Sequence, residues 1–97
     1  MNNPFADLFP PIPQKFVEMI VDYCGKDFDV NTIHSGVYLK RLAELDLLDL
    51  NGFCGRLNYN FFAGHTVLNP DYFGIYNINE IVSIIKEKSA LGSVLED

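Results

Sequence analysis

The spacing of apolar residues along this chain changes twice, and each change predicts a different element. Between Pro13 and Gly25, large apolar side chains recur every three or four residues, which predicts a first helix. Proline suits the first turn of a helix, and glycine commonly ends one. The apolar face of this predicted helix consists of Phe16, Val17, Ile20, Val21, Tyr23 and Cys24. Either Asp29 or Asn31 is suited to cap a short helical turn that reaches Ile33.

A longer leucine-rich helix is predicted next, over residues 37–48. Ser35 is a suitable N-cap for it, and Tyr38, Leu42 and Leu45 fall on one face beside Leu39. The pattern therefore predicts three helical elements in the first half of the chain.

After this helix the period becomes two. Asn51-Gly52 is a turn signal. Apolar and polar residues then alternate over 57–62, which is typical of a strand, and 65–68 can return after a reversal at Ala63-Gly64. Pro70 ends this pattern, so the sequence predicts a two-stranded β-hairpin.

The last element is again helical. Asn77 followed by Glu80 forms a capping pair, and Lys86 and Lys88 suit the C-terminal end of the helix dipole. The predicted apolar face is Ile78, Ile81, Val82 and Ile85. The expected fold class is α+β, with an extended segment at 1–13, one domain at 14–91 and a tail at 92–97.

Two stretches carry a resemblance to a known family: the helix VYLKRLAELDLL (37–48) and DLNGFCGRLNYNFFAGHTVLN (49–69). Over about residues 14–69 the chain resembles the winged helix-turn-helix family. The resemblance implies three N-terminal helices, a wing hairpin and a recognition helix that reads DNA. The residues that would then contact DNA are Ser35, Lys40, Arg41 and Arg56.

Charge argues against that DNA-binding function. Thirteen acidic and seven basic residues give a net charge of −6, which repels phosphate. Within 34–66 the three cations Lys40, Arg41 and Arg56 are offset by three acids, Glu44, Asp46 and Asp49. The expected partner is instead a protein with a basic surface.

No pattern of catalytic or metal-binding residues is present in the sequence. Cys24, His34, Cys54 and His65 lack the close pairs of a structural zinc site and match no nucleophile–base motif. We therefore expect no enzyme, no metal and no cofactor. Two widely separated cysteines are most simply reduced thiols, and no membrane span or signal peptide is seen, so the expected location is the cytoplasm.

Aromatic and aliphatic residues near turns and at the N-terminus exceed what a small core needs. The candidate partner-binding residues are Phe5, Leu8, Phe9, Phe62, Tyr72 and Phe73. The N-terminal residues can either dock on a partner or cover the domain's own core. The function expected is a protein-interaction module that blocks its partner sterically, by analogy with small acidic phage inhibitors. The alternative is a DNA-binding regulator of winged helix-turn-helix type, which could dimerise through residues 78–91.

Overall fold

A computed structural model describes residues 9–95 as five short α-helices and two 3₁₀ turns. The α-helices are α1 (Gln14–Val21), α2 (Leu39–Glu44), α3 (Leu50–Phe62), α4 (Tyr72–Ile75) and α5 (Ile78–Lys88). The 3₁₀ turns are Val30–Thr32 and Gly92–Leu95. No β-strand occurs between residues 9 and 95, where a single antiparallel bridge joins Cys24 to Leu48. The predicted α+β class is therefore wrong, and the described chain is all-α.

The first helix is confirmed, with a shorter extent than its apolar pattern suggested. Pro13 is the N-cap residue, and its carbonyl accepts the N–H groups of Phe16 and Val17 at 3.0 Å. The helix ends at Val21, and the half-buried Cys24 then pairs with Leu48 across the bridge.

Of the predicted caps in the next segment, one is confirmed and one is wrong. Asp29 Oδ1 accepts the N–H of Asn31 at 2.9 Å and so caps the first 3₁₀ turn. Ser35 does not cap α2, because α2 begins after Tyr38 and has no side-chain cap.

The second α-helix covers only residues 39–44 of the predicted 37–48. It stops because Asp46 adopts a left-handed conformation, with φ of 59°. The N–H of Asp46 bonds to the Ala43 carbonyl at 3.1 Å, and that of Leu47 to the Leu42 carbonyl at 2.9 Å. This is a Schellman ending with aspartate where glycine is usual.

Helix α3 occupies the place of the predicted turn and first hairpin strand. Asn51-Gly52 lies in its first turn, where Asp49 Oδ1 accepts the Gly52 N–H at 3.2 Å. The buried face has helical spacing: Leu50, Phe53, Cys54, Leu57, Asn58, Phe61 and Phe62. The alternating pattern predicts Tyr59 on the same strand face as Leu57 and Phe61, but Tyr59 is 75% exposed. The hairpin prediction is therefore wrong.

The predicted return strand, residues 65–68, pairs with a side chain instead of a strand. Asn58 Nδ2 donates to the Leu68 carbonyl at 2.8 Å, and its Oδ1 accepts the N–H groups of Leu68 and Val67 at 2.9 and 3.2 Å. One buried amide thus satisfies the backbone groups that a neighbouring strand would have used.

Helix α5 and its capping pair are confirmed. Asn77 Oδ1 accepts the Glu80 N–H at 2.9 Å, and Glu80 Oε1 accepts the Asn77 N–H at 3.0 Å. The buried residues are the four predicted, Ile78, Ile81, Val82 and Ile85. Since these side chains pack in the domain's own core, they are not free to form a dimer.

The described part of the predicted C-terminal tail belongs to the core. In the 3₁₀ turn at 92–95, Leu95 is fully buried. A Cβ placed on Gly92 would lie 2.6 Å from the Lys86 Cα and 2.7 Å from the Ile85 carbonyl oxygen. Only glycine therefore lets this turn approach the backbone of α5 so closely.

The centre of the core is a group of aromatic rings. Phe53 packs edge-to-face against Phe16 at 5.5 Å and against Phe73 at 6.0 Å, measured between ring centroids. These rings join α1, α3 and α4 into one core. None of the described helices is long and apolar enough to cross a membrane.

Candidate functional site

The first described residues form a strip, residues 9–13, that runs along the surface before α1. The Phe9 ring lies 4.6 Å from the His34 ring between centroids, at 53°, and also contacts Gly36. His34 is fixed beneath it, because His34 Nδ1 accepts the Gly36 N–H at 3.1 Å. Phe9 nevertheless remains 41% exposed. An aromatic ring therefore sits partly exposed on the surface, with His34 and Gly36 against one side of it.

Beneath the strip lies a groove of about 310 Å³, called here the strip groove. Seven of its eleven lining residues are apolar, but more of its accessible lining is polar than apolar. Its lining residues are Phe9, Pro10, Pro11, Ile12, Gln14, Val17, Val30, Asn31, Ile33, His34 and Ser35.

Three of the candidate partner-binding residues lie in or against the core. Phe73 is completely buried, and Phe62 is nearly so. Tyr72 is half-buried, with its ring 6.0 Å from that of Tyr76. Phe73 and Phe62 therefore present no surface to a partner in this structure. Phe5 and Leu8 lie outside the described residues, so Phe9 is the most exposed of the candidates that the structure describes.

Ser35 is also placed where it cannot contact DNA. Its side chain is 2% exposed, and its Oγ has no hydrogen-bond partner. Its carbonyl accepts the Asn79 N–H at 2.9 Å, which holds this loop against the start of α5. A serine in this position supports packing rather than base contacts.

The three cations proposed for DNA binding are distributed over two helices. Lys40 Nζ is 3.2 Å from Asp71 Oδ1, the single ion pair among residues 9–95. Arg41 is exposed on α2, and Arg56 is exposed on α3, in the segment once expected to form the wing. Lys40 carries an exposed ion pair, and residues 49–69, which the sequence predicts as the wing, contain no β-strand.

A second groove, of about 390 Å³, lies between α2 and the start of α3 and is called here the α2–α3 groove. Its apolar lining residues are Ala43, Leu48, Leu50 and Pro70. Its polar lining residues are Lys40, Glu44, Asp49 and Asn51. Two acids, Glu44 and Asp49, against one cation, Lys40, give this lining a net negative charge.

Both cysteines are free thiols without the features of nucleophiles. Cys24 is half-buried, Cys54 is buried, and burial raises the pKa of both thiols. Cys54 Sγ donates to the Leu68 carbonyl at 3.4 Å. Raised pKa values disfavour the thiolate that nucleophilic chemistry requires. Within the part of the chain that the structure describes, no group of three His, Cys, Asp or Glu side chains could hold a metal ion.

Sequence reasoning missed the α2–α3 groove and the buried amide of Asn58. The available signal was the spacing from Leu50 to Phe61, which fits a helix if Asn58 is allowed to face inward. A polar asparagine among the apolar positions normally argues against assigning them to the buried face of a helix. Its partners, ten residues away along the chain, could not be seen in a local pattern.

No protein family, no curated protein and no solved structure matches this chain.

Proposed function

We propose that this chain is a small acidic protein-interaction module that acts by covering a surface of a protein partner. In this proposal the N-terminal strip makes the contact, and binding alone blocks the partner. A steric inhibitor or regulator of a larger protein complex, of the kind that phages use, fits this description. The function requires no catalytic group and no cofactor.

The observation that carries the proposal is the position of Phe9. The core cluster of the described residues begins at Phe16, Ile12 packs against it, and Phe9 does neither. The ring is half-open to solvent on a base formed by His34 and Gly36. Phe5 and Leu8 precede it in sequence, so three large apolar residues fall within five positions. Aromatic residues at a surface commonly anchor protein–protein contacts.

Charge supports the choice of partner. A net charge of −6 favours encounter with a basic protein surface and disfavours nucleic acid. The two free thiols favour a reducing compartment, and the cytoplasm is the one we propose. The alternative, a DNA-binding regulator, receives less support because Ser35 is buried and Lys40 is paired.

The test is to remove the apolar side chains of residues 1–9 and leave the core intact. The variant lacks residues 1–8 and carries Phe9→Ala. The partner is first identified by affinity capture with the full chain from the native cell, followed by mass spectrometry. We expect binding of that purified partner to be lost and the melting temperature to stay nearly unchanged, because Ile12 is the first described residue that packs on the core.

The matched control is Tyr59→Ala, which removes the most exposed aromatic ring of the described chain from α3. This variant should bind normally. A truncated chain that is unfolded or insoluble would show that the strip covers the domain's own core. Unchanged binding by a folded truncated chain would show that the contact lies elsewhere.

A further inference from the structure

We propose that the α2–α3 groove binds a Lys- or Arg-rich protein segment, with an apolar side chain of that segment on the groove floor and its cations at the rim. This inference rests on the proposed protein-binding function. It adds a second contact surface and states the chemistry of the segment that occupies it.

The floor of the groove is suited to an apolar side chain. Ala43 of α2, Leu48 of the loop, Leu50 of α3 and Pro70 line it. Its volume of about 390 Å³ lies within the range of roughly 300–1,000 Å³ that is usual for binding clefts. An incoming side chain would bury apolar surface on several sides.

The rim selects the charge of the occupant. Glu44 and Asp49 line the groove and are exposed, and they outnumber its one lining cation, Lys40, which also forms an exposed ion pair with Asp71. Asp46, also exposed, follows Glu44 by two residues. Phosphate groups of nucleic acids or lipids would be repelled here, as would a second copy of this acidic chain. A cationic segment is the complementary occupant.

Two of these acids are placed against the preferences of the local fold. Glu44 is the last residue of α2, where the helix dipole favours a cation. Asp46 has a positive φ of 59°, at a position where glycine costs less. Neither carboxylate has a hydrogen bond or ion pair with any residue from 9 to 95. Negative charge that does not serve the fold is consistent with a binding role.

The experiment uses the full chain and two synthetic amphipathic peptides, one of leucine and lysine and one of leucine and glutamate. Amide chemical shifts of the protein are followed during titration. With the lysine peptide, the shifts should be concentrated at Lys40, Ala43, Glu44, Leu48 and Asn51. The glutamate peptide should cause none there.

Two charge-reversal variants of exposed glutamates then locate the interaction. Glu44→Lys should raise the Kd for the lysine peptide by about fivefold to tenfold, because reversing one rim charge changes the affinity by up to about tenfold. Glu87→Lys changes net charge equally on α5, outside the groove, and should alter Kd by less than about twofold. Glu44→Gln should give an intermediate loss. The melting temperature of Glu44→Lys should be equal or higher, because lysine suits the end of α2.

A binding loss without a stability loss supports the groove as the site. Equal weakening by Glu44→Lys and Glu87→Lys, shifts on another face, or no binding of the lysine peptide would overturn it. The result is separable from the strip experiment. If the groove experiment fails while partner binding still depends on the strip, only the groove proposal is overturned. The reverse result overturns only the proposed role of the strip.

Discussion

At the scale of single residues, the buried Asn58 organises the segment that follows α3. A buried amide is costly unless its donor and acceptor are both satisfied. Here the amide makes three hydrogen bonds to the backbone of Val67 and Leu68. Together with the Cys54 thiol it fixes the segment that follows α3. Hydrogen bonds from a buried polar side chain thus take the place of those that a neighbouring β-strand would make.

We expect Asn58→Ala to lower the free energy of unfolding by about 2–4 kcal/mol. The change leaves the buried N–H of Leu68 unpaired and its carbonyl with only the weak Cys54 thiol donor, and each poorly satisfied buried group costs about 1–3 kcal/mol. Urea unfolding followed by circular dichroism measures the effect.

The matched control is Asn60→Ala, two residues later and half-buried. It should leave stability unchanged or slightly higher, because alanine is the better helix former. In a hairpin, Asn58 and Asn60 would share one face and respond alike. Equal effects of the two substitutions would therefore contradict the helical assignment of this segment.

At the scale of elements, the chain closes its core with a turn rather than a helix. The 3₁₀ turn at 92–95 lies on the backbone of α5, which is accessible because Gly92 has no side chain. Leu95 is thereby completely buried. Residues that a local pattern assigns to a tail are in this case part of the core.

Gly92→Ala should destabilise the protein by about 1–3 kcal/mol, since the new Cβ collides with backbone atoms that cannot move aside. Differential scanning calorimetry measures the change. The control is Gly55→Ala in α3, where a Cβ meets nothing within 4 Å. That substitution should stabilise by about 0.5–1 kcal/mol, because glycine disfavours a helix interior. A stable Gly92→Ala would mean that the turn does not pack on α5.

The scale of elements also shows where sequence reasoning worked and where it failed. Helix α5 was predictable because its cap, Asn77 with Glu80, and its apolar face all lie within a few residues. Helix α3 was not, because Leu57 and Phe61, four apart, are on the same side in both a helix and a strand. The candidate site was predicted only in part: Phe9 is at the surface, whereas Phe73 fills the core.

At the scale of the whole molecule, the reactivity of the two free thiols depends on the opening of the domain. Cys24 is half-buried at the bridge to Leu48, and Cys54 is buried in α3. Burial raises the pKa of both thiols in the folded protein. As pH rises, these thiols therefore lose their protons at a lower pH in the unfolded chain than in the folded protein. Their contribution to stability is complete below the ordinary thiol pKa and is lost as pH rises through the raised folded value.

We expect alkylation at neutral pH to label Cys24 before Cys54, which should react only when the domain unfolds. Mass spectrometry after timed quenching measures both rates, and Cys24→Ser isolates the slower one. A reductant should leave the melting temperature unchanged, because no disulfide joins the two thiols. Rapid labelling of Cys54 in the native protein would mean that α3 is not packed as described.

The sequence by itself determined the features whose partners are local. These are the first helix after Pro13, the capped α5 with its four buried apolar residues, and the net charge of −6. Only the tertiary structure decided between helix and hairpin at 50–69, because the deciding hydrogen bonds join Asn58 to Leu68. It also decided that Phe73 packs on Phe53 while Phe9 stays outside. Local patterns state which backbone and side-chain groups need partners. Which distant group satisfies each of them depends on the surfaces that meet when the chain folds.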